Sequence, residues 1–307
     1  GEIVGRITAQ VDEHYFEHWR ERVGQFGFFE AIDDQEVANA LFDSAKNWLK
    51  EQGQERMQGP FNFTINDECG LLVEGFETPP MILMTHNPKY YQKLFEGYGM
   101  KKAMDLLAYR ADASTEPDPI IVQFAELLRQ KHEIKVRNMD WRNFDREMDW
   151  FVEIYNSAWE KNWGMVPLTE KELRAHKLEL KLLARFWPEM NFFAEVNGKP
   201  IGMSITLPNF NEVLIHTNGR LFHPQILKFL THKIRSCRVF ALGVKPEYRR
   251  MGVGAIFYIE TLNSARKRGF EWGEMSWILE TNEPMRRAIE RMGGKVYKIY
   301  RIYEAQL

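Results

Sequence analysis

Apolar residues recur at two spacings along the second half of the chain. Over 142–162 they return every three or four positions, which predicts an amphipathic helix. Two apolar runs, 191–196 and 200–206, flank the dipeptide Asn197-Gly198. Because this dipeptide favours positive φ at both central positions of a tight turn, the two runs are predicted to form a β-hairpin.

The rest of this half alternates strands with helices. A capping box, Thr169 to Glu172, predicts the start of one helix, and Gly269 predicts the end of another. The predicted strands are 133–136, 191–196, 200–206, 236–244, 272–279 and 295–303. The other predicted helices are 120–131, 142–162, 254–268 and 283–292. This order predicts an α/β fold with a mixed sheet.

The first half repeats the end of the second. Lys101, Tyr109 and Ala111 stand at one constant offset from Lys295, Tyr303 and Ala305. Such a repeat indicates two copies of one fold, and the first copy starts at its third strand, so that lobe is predicted to be incomplete or cut. We predict a degenerate lobe over 1–115, a linker and connecting helix over 116–133, and a complete lobe over 134–307.

Composition and charge argue against several classes of protein. The 307 residues carry a net charge of −2, without the basic surplus typical of nucleic-acid binding. Two distant cysteines give no disulfide framework and no metal cluster, so no metal is predicted. No apolar run could span a bilayer, and the N-terminal residues lack a signal-peptide pattern, so we predict a cytoplasmic protein without membrane partners. Whether the protein forms a homodimer is left open.

One motif carries chemistry, the loop Arg249-Arg250-Met251-Gly252-Val253-Gly254 between a strand and a helix. Its glycines allow close approach to the backbone, and the N–H groups and dipole of the following helix attract anions. Arginine adds full positive charge. The pattern predicts a pyrophosphate cradle, with an ordinary strand-to-helix turn as the alternative.

This segment resembles the GNAT superfamily of acyl-CoA N-acyltransferases. Arg249, Gly252 and Gly254 match the superfamily's loop, and Asn282 to Gly293 resembles its second conserved segment. The resemblance implies tandem GNAT lobes, acetyl-CoA or another acyl-CoA as donor, and a small-molecule or peptide amine as acceptor. The implied CoA-binding residues are Leu242, Gly243, Val244, Arg249, Arg250, Met251, Gly252, Val253, Gly254, Ala255, Asn282 and Met285.

The catalytic half of the site departs from the superfamily. In the superfamily a tyrosine often stands at the position of Ile289 and protonates the leaving thiolate. The identity of the general acid is therefore left open here, and three other tyrosines are substitutes in name only. They are Tyr297, Tyr300 and Tyr258. The strand 238–244 offers no glutamate as base, which leaves Glu274 and Glu280 as candidates. We interpret Glu274 rather as a solvent-facing strand carboxylate.

Other polar and aromatic clusters receive plainer interpretations. The first lobe has the acidic, glycine-free run 33–38 where a cradle belongs, so we expect it not to bind CoA. We interpret Asn66 to Gly70 as a solvated turn rather than part of a pocket. We interpret three tryptophans as core residues and three asparagines as ordinary loop residues. They are Trp159, Trp163 and Trp277, and Asn209, Asn211 and Asn218.

Three functions fit these observations. The leading prediction is an N-acetyltransferase with one acyl-CoA site per chain. The absence of tyrosine at Ile289 keeps a non-catalytic acyl-CoA sensor as the alternative. A transferase that takes its acyl group from charged tRNA is disfavoured by the cradle and by the lack of basic excess.

Overall fold

A computed structural model describes residues 1–169, 171–172, 177–217, 220 and 233–307 of the chain. The strands are β1 (Gly5–Gln10), β2 (Val23–Ala31), β3 (Arg56–Gly59), β4 (Phe61–Asn62), β5 (Glu68–Cys69), β6 (Leu71–Glu74), β7 (Lys101–Asp112), β8 (Lys135–Asn138), β9 (Asn191–Val196), β10 (Lys199–Pro208), β11 (Ser236–Val244), β12 (Trp272–Leu279) and β13 (Lys295–Gln306). The helices are α1 (Glu13–Trp19), α2 (Gln35–Glu51), α3 (Tyr90–Gly97), α4 (Pro119–Lys131), α5 (Phe144–Trp159), α6 (Lys177–Phe186), α7 (Asn211–Leu214), α8 (Val253–Arg268) and α9 (Glu283–Arg291).

One mixed sheet of eleven strands joins both halves of the described chain. Its order is β1-β2-β3-β13-β7-β12-β11-β10-β9-β8, with β6 also paired to β13. Among the described strands, parallel pairing occurs at β2–β3 and β11–β12, and the other pairs are antiparallel. The two parallel pairs occupy equivalent places in the two halves, which confirms the predicted α/β mixed sheet.

The last strand of each half lies beside the other half. Strand β7 is paired on one side with β12 and on the other with β13, and β13 also pairs with β3. The Arg301 guanidinium contacts the Asp105 carboxylate at 2.7 Å across this junction. Strands of the two copies therefore alternate within one sheet. The division of the chain into two lobes near residue 115 stays a prediction from the sequence repeat.

The structure moves several predicted boundaries. Strand β8 begins two residues later than predicted, after Glu133, whose φ is 51°. Strand β13 continues to Gln306 because its final residues pair with β3. Helix α5 is shorter than the predicted 142–162 and follows a 3₁₀ turn. The predicted capping box at Thr169 is confirmed, because its backbone N–H and hydroxyl both donate to the Glu172 carboxylate.

Helix α4 packs against helix α8. Leu128 of α4 is buried, and its Cδ1 lies 2.4 Å from the ideal Cβ position of Gly252 at the start of α8. Arg129 donates to Glu260 of α8 at 2.7 Å. The connecting helix thus packs beside the loop and the helix that form the predicted cradle.

Candidate active site in the split between two strands

A gap opens between β11 and β12. Their parallel pairing runs from Ser236 to Val239 on β11 and stops there, although both strands continue. At this point Phe240 is an extra residue in the register between β10 and β11. A bulge of this kind bends a strand away from its neighbour. The parts of β11 and β12 that have separated from each other line two adjoining cavities.

The larger cavity, of about 890 Å³, lies at the start of helix α8. Most of the predicted CoA-binding residues line it. They are Leu242, Gly243, Val244, Arg249, Gly254, Ala255, Asn282 and Met285. Four further predicted residues belong to the same loop and helix start but are not among the residues lining this cavity. They are Arg250, Met251, Gly252 and Val253.

The start of α8 fits a diphosphate group. Gly252 adopts the left-handed conformation with φ 75°, and no described side chain caps the first N–H groups of the helix. A Cβ on Gly254 would meet nothing within 4 Å, so the backbone there is open to a ligand. The Arg249 guanidinium donates to the Ala158 carbonyl at 2.5 Å, which holds its charge beside the cavity. Uncapped N–H groups and a fixed cation are what a phosphate anion requires.

The equivalent place in the first half is filled by the chain itself. The Asp34 carboxylate accepts hydrogen bonds from the N–H groups of Glu36 and Val37 at the start of α2. The ideal Cβ position of Gly27 lies 1.7 Å from the Phe61 carbonyl oxygen, so the β4–β5 hairpin occupies the gap beside β2. These contacts support the prediction that the first half does not bind CoA.

The smaller cavity, of about 160 Å³, continues from the larger one along the gap. Trp159, Trp163 and Trp277 all line it, so our interpretation of them as core residues alone was incomplete. Asn66 lines it as well, and it accepts a hydrogen bond from the Tyr155 hydroxyl at 2.7 Å. The turn that we interpreted as solvated therefore shapes this pocket.

Glu274 is fully buried, which contradicts the interpretation of a solvent-facing carboxylate. It accepts a hydrogen bond from the Ser276 hydroxyl at 2.6 Å, and another from Tyr297. The Arg238 guanidinium lies 3.7 Å away and donates to the same serine. Burial raises the pKa of the Glu274 carboxyl, and the neighbouring cation opposes that shift. Ser276 and Arg238 line the smaller cavity.

The other predicted carboxylate occupies a different environment. Glu280 accepts from the Lys102 ammonium at 2.9 Å and from the Asp105 N–H at 3.1 Å. It joins β12 to β7 through these contacts. Of the two cavities described above, Glu280 lines neither.

Three tyrosines were nominal substitutes for the missing acid, and one of them lies at the cavity junction. Tyr258 lines both cavities, and its hydroxyl lies 3.2 Å from the Met285 sulfur. Ile289 is buried in the apolar cluster against which Tyr258 packs. Tyr297 and Tyr300 line neither cavity, and Tyr297 instead contacts Glu274.

Arg238 and Ser276 were missed from the sequence. A signal existed for Arg238, because it is a lone cation in the apolar strand 236–244 and needs a buried partner. In the parallel register Arg238 stands opposite Glu274.

Two of the asparagines interpreted as loop residues connect the halves of the chain. Asn209 accepts from the Ile82 N–H, and Asn211 donates to the Pro80 and Met81 carbonyls. Asn218 lies outside the described residues.

The gap, the cradle and the strand order define an acyltransferase of the GNAT type. Residues 148–294 match the model of the Acetyltransferase (GNAT) family. The chain belongs to this family, whose members use acyl-CoA donors, and it is an acyl-CoA-dependent N-acyltransferase.

Two curated relatives align along the whole chain. One is Protein YghO of Escherichia coli (strain K12), 39% identical, of which the chain covers 80%. The other is Bacterial ceramide synthase of Caulobacter vibrioides (strain NA1000 / CB15N), 37% identical, of which the chain covers 82%. A tandem GNAT protein from the clavulanic acid biosynthesis pathway superposes on 100% of this chain and 80% of its own, with a TM-score of 0.55 at 11% identity, and shares the fold. In the described part of the chain, no helix combines the length and apolar character needed to cross a membrane.

Proposed function

We propose that the protein transfers an acyl group from a fatty acyl-CoA to the primary amine of a long-chain amino alcohol. The observation that carries this proposal is the continuity of the two cavities. Trp159, Trp163 and Tyr258 line both, so a phosphate cradle and an aromatic pocket adjoin within one gap. An amine head at the junction would place the first carbons of an apolar tail among the aromatic side chains of the smaller cavity.

The relative called Bacterial ceramide synthase supports the choice of acceptor. Ceramide is the amide of a fatty acid with a long-chain amino alcohol. An identity of 37% along the whole chain makes a related acceptor the best supported one. This refines the prediction from sequence, which named acetyl-CoA first and left the amine unidentified.

We assign the proton transfers to Tyr258 at the junction and to Ser276 on the smaller cavity, with Glu274 behind Ser276. An amine that attacks a thioester forms the N–C bond and loses one proton, and the C–S bond breaks to a thiolate that gains one. Ser276 borders the smaller cavity and donates to Glu274, so it passes the amine proton to that carboxylate. Tyr258 supplies the proton for sulfur from beside Met285. Tyr297 acts as a positioning residue for Glu274.

The same arrangement favours catalysis over the sensor alternative. That alternative rested on the absence of tyrosine at Ile289. Tyr258 offers a hydroxyl in the neighbouring cluster and borders both cavities. Catalysis needs this group within hydrogen-bond reach of the reacting atoms, and a position at the cavity junction is compatible with that requirement.

The test is an assay with palmitoyl-CoA and sphinganine, with acetyl-CoA as a second donor. We expect free thiol and amide in equal amounts, measured by a disulfide reagent and by mass spectrometry. Thiol release without amide would contradict amine acylation. Amide formation with short amines or peptides, and none with sphinganine, would contradict the proposed acceptor.

A further inference from the structure

Residues 75–84 of the first half follow β6 and form neither helix nor strand. Their carbonyl groups are instead used by side chains of the second half. The Pro80 and Met81 carbonyls accept from the Asn211 amide, each at 3.0 Å. Because a carbonyl in a helix or strand bonds within its own element or sheet, an irregular segment is free to offer its carbonyls elsewhere. This carbonyl segment, residues 75–84, therefore connects the first half to the second.

Two buried cations of the second half also donate to the carbonyl segment. Arg238 of β11 donates to the Ile82 and Leu83 carbonyls at 2.9 and 3.0 Å. Lys298 of β13 donates to two further carbonyls, one of them that of Thr78 at 2.8 Å. Arg238 is 1% exposed and Lys298 is 0% exposed. Among the described residues, neither cation donates a hydrogen bond to a carboxylate, so backbone carbonyls take the place of the usual ionic partner.

Glu274 lies on β12, and strands on both of its sides carry these cations. Arg238 belongs to the neighbouring strand β11, and its Nε lies 3.7 Å from the Glu274 Oε1. Lys298 belongs to β13, which lies beyond β7 on the other side. Burial raises the pKa of the Glu274 carboxyl, and both positive charges lower it. The two cations therefore favour the ionised carboxylate at a buried position.

The hydrogen bonds to the Glu274 carboxylate come from hydroxyl groups. Its Oε1 accepts from Ser276 at 2.6 Å, and its Oε2 accepts from Tyr297. The Ser276 oxygen itself accepts from the Arg238 Nε at 3.0 Å, which directs the single hydroxyl proton toward Glu274. A direct bidentate pair with arginine would stabilise the charged carboxylate more strongly and make it a weaker base. The carbonyl segment opposes such a pair, because two of its carbonyls bind the Arg238 Nη1.

Other ionisable groups around Glu274 do not hydrogen-bond to its carboxylate in the described part of the chain. Arg110 of β7 pairs opposite Glu274 in the sheet, but its guanidinium donates to Asp112 at 3.0 Å. Burial lowers the pKa of the Lys298 ammonium, and the negative charges of Glu274 and Glu77 oppose that change. The remaining neighbours act on Glu274 or on its cations through space, and they are Tyr300, Cys69 and His86. Arg238 and Lys298 are therefore the cations that act on the carboxylate.

We propose that the carbonyl segment of the first half positions Arg238 and Lys298, and that these two positioning residues keep Glu274 ready to accept the proton of the acceptor amine. This inference rests on the proposed function, in which Ser276 passes that proton to Glu274. The Ser276 oxygen takes the proton that nitrogen loses while its own proton moves to the Glu274 Oε1, and the electron pair of the N–H bond stays on nitrogen. The first half thereby takes part in the chemistry of the second.

The experiment measures kcat/KM against pH with palmitoyl-CoA and sphinganine for this chain and its variants. Arg238→Gln and Lys298→Met each remove one positive charge. The acidic limb of the profile should move to higher pH, by about one pH unit for Arg238→Gln, because a cation at this distance lowers the pKa of a carboxyl by about that amount. Arg301→Gln is the matched control, since it removes a cation of β13 that pairs with Asp105, and its acidic limb should stay in place.

Two further variants separate charge from position. Arg238→Lys keeps the charge but loses the planar fork, so the acidic limb should stay near that of the parent while kcat falls by about a hundredfold from misplacement of Ser276. Asn211→Ala releases the Pro80 and Met81 carbonyls and loosens the carbonyl segment. Its acidic limb should move to lower pH, because Arg238 is then free to pair directly with Glu274.

Infrared titration follows the ionisation of Glu274 without substrate, through the protonated carboxyl band that is lost in Glu274→Gln. A protein that shows the stated shifts of this band, yet makes no amide, would contradict the proposed function and support the positioning of Glu274. An acidic limb and a carboxyl band that stay in place in both Arg238→Gln and Lys298→Met would overturn the inference, whether or not kcat falls. Parent pH behaviour in Asn211→Ala would overturn the role of the carbonyl segment. If Arg238→Gln fails to fold, Lys298→Met gives the deciding measurement.

Discussion

The open position at Gly254 allows a direct test of the cradle. A Cβ at this glycine has nothing within 4 Å, so the first atom of a new side chain displaces no packed atoms, and Gly254→Glu adds a carboxylate beside the predicted cradle. A glutamate in the first turn of a helix is also favourable for folding, by about 0.3–1 kcal/mol, because of the helix dipole. We therefore expect a variant that folds as well as the parent protein and binds CoA poorly.

The size of the binding defect follows from electrostatics. Two like charges about 4 Å apart interact by about 4 kcal/mol at an effective dielectric constant of about 20. Gly254 is half-buried, so solvent screens part of this repulsion, and about 3 kcal/mol is a reasonable expectation. Such an energy corresponds to a rise in Kd of roughly a hundredfold.

The assay is calorimetric titration with CoA, accompanied by urea denaturation. Gly254→Ala is the matched control, and its Kd should rise far less than that of Gly254→Glu because the added methyl group carries no charge. Gly252→Ala should instead lose stability, by about 1–3 kcal/mol, because its φ of 75° and the nearby Leu128 disfavour a side chain. A Gly254→Glu protein that binds CoA as tightly as Gly254→Ala would refute the assignment of the cradle.

Three other substitutions test the remaining assignments. Tyr258→Phe keeps the ring but removes the hydroxyl, so steady-state kinetics should show kcat lowered by about a hundredfold with little change in KM; unchanged kcat would exclude Tyr258 as the acid. Glu274 must be ionised to accept a proton, and burial raises its pKa, so kcat/KM should fall as the pH drops through a value above that of an ordinary glutamate. Glu274→Gln should remove most activity and abolish this acidic limb, whereas an identical pH profile would assign the limb to another group. Asp34→Ala removes the cap of α2 and should cost about 1 kcal/mol in urea denaturation at unchanged kcat; a loss of CoA binding would contradict the view that the first half holds no cofactor.

Local features of the sequence determined the cradle and most of the elements around it. Positive φ at Gly252, the glycine at 254 and the helix that follows are specified within a few residues. The turn at Asn197 and the caps at Asp34 and Asn282 are local in the same sense. Such features depend on backbone sterics and short-range hydrogen bonds, so they are predictable without the fold.

The pairing of strands and the acceptor pocket were decided only by the tertiary structure. The repeat between Lys101–Asp112 and Lys295–Gln306 shows two similar strands, but the exchange that places each beside the other half depends on distant contacts such as Asp105 with Arg301. Tyr258, Ser276 and Arg238 come from separate elements of the chain and meet only around the gap between β11 and β12. The roles proposed for these residues depend on burial and on contacts with distant parts of the chain. The neighbours of a residue in the sequence do not determine either property. The sequence alone therefore predicted the loop that we propose holds the donor, and the packing of the two halves decided which groups surround the cavity proposed for the acceptor.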